Sequence, residues 1–248
     1  MSEPLASPLA TRLAGVRERM ASAARRAGRR PEAITLVGIA KGQPAARIAD
    51  AVAAGLDHVG ENYVQEARAK LPELRSLLAA RGLALPRLHF VGRLQRNKAL
   101  DVARDFDVVE SLDRAALGAA LEQRAAELGR ELGVLLQVNL EGEATKGGAG
   151  PTAVRELLAE SLAWKHLRIA GLMAIPPPQT TPEASRASFV RLRELAQSLR
   201  SEAGGGALRE LSMGMSADFE IAIEEGATCV RVGTAIFGAR PRKGEDPA

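Results

Sequence analysis

The sequence predicts a single (β/α)8 barrel with one extra helix at its N-terminus. Three observations carry that prediction. Eight short apolar runs alternate with helical stretches, and most are apolar throughout, as parallel strands buried on both faces are. The 248 residues match the roughly 250 typical of one such barrel. No larger insertion interrupts the alternation, so residues 1–248 read as one domain, with 1–30 as the leading helix and 241–248 as a short tail. An open doubly wound sheet is the alternative that the same alternation allows.

Ser7-Pro8 starts the leading helix as cap and first-turn proline, Leu9, Leu13, Val16 and Met20 recur at helical spacing, and Gly28 stops it. ITLVGIA (34–40) has strand length, and a helix over 44–54 follows, closed by Gly55. HVG (58–60) precedes a helix over 64–80, LHFVG (88–92) one over 96–104, and DVVES (107–111) one over 114–128. VLLQVNL (134–140) leads to a helix starting near Pro151. LRIAGLMAI (167–175) passes through three prolines to a helix over 182–199. ELSMGM (210–215) leads to a helix over 217–225, and CVRVG (229–233) to a helical turn at 235–237.

Composition narrows the function classes. Net charge is +4, but only six of the 34 basic residues are lysines, and the arginines are scattered beside glutamates. With 3% aromatic residues there is no base-stacking platform, so a mixed solvated surface is expected rather than a nucleic-acid partner. The single cysteine, Cys229, excludes an intramolecular disulfide and a cysteine-only metal site. His58, His89 and His166 lack metal-ligand spacing. No apolar run approaches the roughly 20 residues of a membrane span. The first fifteen residues lack the basic-then-apolar pattern of a secretory signal. A cytoplasmic protein is expected, and a monomer, because a closed barrel leaves no sheet edge.

Chemistry in such a barrel sits where strands end. Lys41 closes the first apolar run. Burial of its stem there would favour the neutral amine, a nucleophile able to condense with an aldehyde; from position alone it could equally snorkel to solvent. Ser216 follows the seventh strand at an expected helix N-cap, and Arg231-Val232-Gly233-Thr234 ends the eighth. Hydroxyls and backbone N–H groups at those two loops form the usual phosphate site of this fold. A phosphate opposite a reactive lysine suggests pyridoxal 5′-phosphate (PLP). Arg231 would then face the pyridine nitrogen, from which a guanidinium cannot take a proton.

Five segments sharpen this: GENYVQEARAK (60–70), LHFVGRLQRNK (88–98), GLMAIPPP (171–178), LSMGMSADFEIAI (211–223) and VRVGTAIFGAR (230–240). In this order they closely resemble the pyridoxal phosphate homeostasis proteins of YggS/PROSC type, over nearly the whole chain. The resemblance implies a barrel like the N-terminal domain of alanine racemase (PLP fold type III) that holds PLP as a Schiff base on Lys41. It implies phosphate contacts at Ser216, Gly233 and Thr234, Arg231 beside the pyridine nitrogen, and Asn62 on the cofactor side. It also implies a role in intracellular vitamin B6 balance without established turnover, with other B6 vitamers and PLP-dependent apo-enzymes as partners. Members commonly carry SKTKP at the lysine, whereas this chain has AKGQP (40–44), with Gln43 in place of the second lysine. Lys98 and Lys146 are the remaining basic groups near strand ends.

Two enzyme readings compete. A PLP-dependent racemase needs an acid/base on each face of the cofactor, yet Tyr63 is the only tyrosine and eight residues after Arg240 leave no room for a second domain. A barrel enzyme acting on a phosphorylated sugar needs acidic catalysts, for which Glu61 and Glu110 are the few candidates. Glu61 also suits helix capping.

Overall fold

The computed structural model describes residues 7–142, 147–177 and 179–239. Eight parallel strands close a barrel in chain order: β1 (Thr35–Ile39), β2 (His58–Glu61), β3 (Arg87–Phe90), β4 (Val108–Leu112), β5 (Leu132–Val138), β6 (Leu167–Ala174), β7 (Glu210–Ser212) and β8 (Cys229–Val232). Pairing of β8 with β1, from Thr35 opposite Cys229 to Gly38 opposite Val232, closes the ring and excludes the open sheet. Outside it run α1 (Pro8–Arg26), α2 (Ala45–Ala53), α3 (Val64–Ala80), α4 (Ala99–Asp105), α5 (Ala115–Leu128), α6 (Pro151–Ser161), α7 (Arg186–Leu199), α8 (Phe219–Glu224) and α9 (Thr234–Phe237). No helix of the described residues is long and apolar enough to cross a membrane.

The extra helix α1 forms as its caps predict. Ser7 Oγ accepts from Ala10 N at 3.2 Å, and Leu9, Leu13, Val16, Met20, Ala23 and Ala24 are buried along one side. It packs on α8 and α9, where Arg19 and Arg26 pair with Glu220 and Glu224.

Inward and outward faces alternate along each strand. A Cβ on Gly60 would meet Ile39 Cδ1 at 2.6 Å and Val37 Cγ1 at 3.0 Å, so these residues crowd the barrel axis. A Cβ on Gly38 would meet Leu56 Cδ2 at 2.5 Å on the helix side. Both glycines thus make room, one on each face.

Three local expectations are corrected. Residues 96–98 and 182–185 form 3-10 turns ahead of α4 and α7. β7 stops at Ser212, and Gly214 turns the chain at φ 89°. The following helix begins at Phe219 with Asp218, not Ser216, in the cap position.

Candidate functional site

The turn after β1 puts Lys41 at the barrel mouth, two residues beyond inward-facing Ile39. Gln43 N donates to Ala40 O at 3.0 Å, and Gly42 supplies the positive φ of 71° that closes the turn. Lys41 is half-buried, and its Nζ lies 4.7 Å from the centre of the Tyr63 ring, a cation–π contact. On the neighbouring strand end, Asn62 Oδ1 is buried without a hydrogen-bond partner. Its backbone carbonyl fills the space that a Cβ on Gly92 would need.

Arg231 rises from β8, next to β1, and is 4% exposed. Its Nη1 donates to Ser212 Oγ at 2.5 Å and its Nη2 to Ala174 O at 2.8 Å. Ser212 donates in turn to Glu110 Oε2 at 2.5 Å, and His89 Nδ1–H to Glu110 Oε1 at 2.7 Å. His58 Nδ1 continues the chain to His89 Nε2 at 2.9 Å. Burial pushes the Glu110 carboxyl up, but the hydrogen bonds and charge of His89, the Arg231 charge and the Ser212 bond together hold it below its ordinary value. The barrel axis therefore carries a carboxylate compensated by a guanidinium. At the far end of the chain, burial, then His89 and Arg87, push His58 down to about 4, so it is neutral near pH 7.

The loops after β7 and β8 meet through Ser216. Its Oγ accepts from Gly233 N at 3.2 Å and from Ala235 N at 3.5 Å. Ser216 thus spans two loops instead of capping its own helix, and in the turn before that helix Asp218 Oδ1 accepts from Met215 N at 2.7 Å. Thr234 is exposed at the first position of α9. Arg12 Nε and Arg47 Nη2 donate to Ile236 O and Phe237 O at 2.8 and 2.7 Å, anchoring α9 from α1 and α2.

All six predicted residues, Lys41, Asn62, Ser216, Arg231, Gly233 and Thr234, therefore lie at the C-terminal ends of strands or just beyond them, in four consecutive units around β7, β8, β1 and β2. Lys98 closes the 3-10 turn after β3, and Lys146 lies outside the described residues. Gln43 is 4% exposed, so position 43 is packed inside and not on the rim. Glu61 does not cap a helix; it points outward and pairs with Lys70 at 2.7 Å. Among the described residues no cluster of His, Cys, Asp and Glu could hold a metal ion. Sequence reasoning missed Tyr63 as Lys41's neighbour and His89, Glu110 and Ser212 as the support of Arg231. Polar residues inside otherwise apolar strands were the available signal.

Known proteins resemble this chain over nearly its whole length. The family described as alanine racemase, N-terminal domain, matches residues 12–241. The pyridoxal phosphate homeostasis protein of Pseudomonas aeruginosa is 45% identical over 235 residues, covering 94% of this chain and 96% of that protein. Its namesake in Escherichia coli is 42% identical over 238 residues, covering 94% and 97%. This chain belongs to the pyridoxal phosphate homeostasis protein family. PipY of Synechococcus elongatus, solved with PLP bound, is 39% identical with a TM-score of 0.81, covering 93% of this chain and 100% of that one. Its PLP-free structure superposes equally well, with a TM-score of 0.82 at the same identity and coverage. Alanine racemase of Corynebacterium glutamicum, 15% identical at a TM-score of 0.61 and covering 94% of this chain and 63% of that one, shares the fold. The pyridoxal phosphate homeostasis family is thus reached both from the motifs and from the whole chain.

Proposed function

We propose that this chain binds PLP at the barrel mouth and serves intracellular PLP balance as a holder of the cofactor. The observation that carries this reading is the gathering of Lys41, Arg231 and the Ser216–Gly233 pair on adjoining strand ends. The donor set fits the group: an amine, a guanidinium, and two hydroxyls with backbone N–H groups beside them. Asn62 Oδ1, buried and unpartnered, is an acceptor free to meet a ligand. When bound, PLP supplies an aldehyde that condenses with an amine to a Schiff base, releasing water, and a phosphate that takes hydrogen bonds.

Lys41 provides the amine, and Tyr63 supports its ammonium beforehand. Ser216, Gly233 and Thr234 hold the phosphate. Arg231 faces the pyridine nitrogen with N–H groups beyond those given to Ser212 and Ala174. Its guanidinium donates but does not accept, and Glu110 behind it stabilises the cation. A guanidinium in that place would disfavour protonation of the pyridine nitrogen and so weaken the ring as an electron sink. Carbanion chemistry on the ring is thereby suppressed rather than abolished. The chain's role in this reading is to hold PLP, as a monomer in the cytoplasm, and to pass it or other B6 vitamers to PLP-dependent apo-enzymes.

A titration with PLP tests the reading. The wild type should develop a visible band with one PLP per chain, and Lys41→Ala should not. Chiral analysis of L-amino acids incubated with loaded protein should show no rapid enantiomer exchange. Rapid exchange that is lost in Lys41→Ala would make the protein a racemase.

A further inference from the structure

Helix α3 reaches back to the turn that carries Lys41. Lys70 Nζ donates to Ala40 O at 2.9 Å and to Gln43 O at 3.2 Å, the carbonyls on either side of Lys41 and Gly42. The same nitrogen lies 2.7 Å from Glu61 Oε1 and 2.9 Å from Glu66 Oε1. Glu66 Oε1 also accepts from Gly42 N at 2.6 Å. Two carbonyls and one amide of the turn are thus tied to a single helix.

We propose that Lys70 is the positioning residue of Lys41, fastening the 40–43 turn to α3 through its ammonium and, by way of Glu66, through the Gly42 amide. The proposal rests on the reading that Lys41 carries PLP. Lys70 is not an ordinary surface lysine, because its side chain is 11% exposed and that of Glu61 is 4% exposed. A solvated Glu66–Lys70 pair four residues apart would contribute little. Sheltered and charge-assisted, the same contacts are stronger. Three N–H groups serve four oxygens, so the ammonium is saturated where it stands. Glu61, the last residue of β2, lies 2.7 Å from Lys70 Nζ and ties the cluster to the barrel wall.

Within the turn, the Gln43 N to Ala40 O hydrogen bond is local, while Ala40 N donates to Gly60 O at 2.9 Å on β2. The bonds from α3 supply the outer restraint. Lys41 has a long flexible side chain, so the direction in which it leaves the backbone decides whether its amine stands over the barrel mouth. Lys70 touches no ligand and acts through that backbone.

The test uses the full chain with Lys70→Met, freed of PLP. Deuterium exchange of the peptide spanning 39–45 is read by mass spectrometry, with the rate at which added PLP builds its visible band. Exchange in that peptide should rise about tenfold, peptides from β4 to β6 should keep wild-type rates, and PLP capture should slow by about the same factor. Unchanged exchange in the turn overturns the proposal. So does faster exchange with wild-type capture, or a rise spread evenly over the barrel. If Lys70→Met fails to fold, Glu66→Gln replaces it, and unaltered exchange at 39–45 in that variant likewise overturns the proposal. Absence of PLP from Lys41 in the wild type would sink the cofactor reading, while exchange in the PLP-free chain still decides whether Lys70 holds the turn.

Discussion

Glu110 Oε2 and Arg231 Nη1 lie 3.8 Å apart inside the barrel, and the Ser212 hydroxyl joins them, accepting from one and donating to the other. Both charges are almost fully enclosed, at 0% and 4% exposure, so each depends on the other and on the bridge. Ser212→Ala should lower unfolding stability by about 1–3 kcal/mol, as expected for buried groups left short of a hydrogen bond. Glu110→Gln should lower it by about 3–5 kcal/mol by stranding the guanidinium. Urea unfolding measures both, and an unchanged midpoint in Ser212→Ala would contradict the bridging role.

Two glycines should respond in opposite directions. Gly214 stands at φ 89°, and a Cβ there would meet Ala222 Cβ at 2.5 Å and Phe219 Cα at 2.9 Å. Gly214→Ala should destabilise by about 1–3 kcal/mol through strain and overpacking. It should also weaken PLP binding, because Ser216 is two residues on. Gly15 lies within α1 with nothing near its missing Cβ. Gly15→Ala should stabilise by about 0.5–1 kcal/mol. Thermal melts of both variants give the two signs directly.

The barrel was legible because strands buried on both faces are written as apolar runs, and caps such as Ser7-Pro8 act locally. β7 was read too long because Met213 and Met215 are apolar, while the turn at Gly214 is a backbone property. Ser216 was read as a cap for the same local reason. Its bonds to Gly233 and Ala235 join different loops and follow only from closure of the barrel. Glu110, Ser212 and Arg231 were each visible as polar residues in or near strands, but their contact needs three strands placed in a ring. Lys70 lay inside a quoted motif, and only the packing of α3 against the β1 turn shows what it holds.

His58 should make the fold acid-sensitive before most carboxylates titrate. Its value falls from the ordinary 6.5 to about 4, so the unfolded chain takes up the proton first. The stability it contributes is present above pH 6.5 and is lost as pH falls towards 4. Replacing it, as in His58→Asn, should flatten the dependence of the urea midpoint between pH 7 and pH 5, roughly the window between those two values.

Glu61 should act with the opposite sign. Burial, only partly offset by Lys70, raises its carboxyl from 4.5 to about 7. Its contribution is therefore fully present below pH 4.5 and lost as pH rises through about 7. A shift of that size corresponds to about 3 kcal/mol at most. The stability difference between wild type and Glu61→Gln should shrink or reverse from pH 5 to pH 8, roughly that same window. A constant difference would rule the shift out.

The most direct measurement of the central claim is the mass of Lys41 after borohydride reduction of PLP-loaded protein. Reduction should leave one phosphopyridoxyl group per chain, on the peptide containing Lys41, with Lys70 and Lys98 unmodified. An unmodified Lys41 under PLP saturation, or the label on another lysine, would contradict the assignment of this barrel mouth as the PLP site.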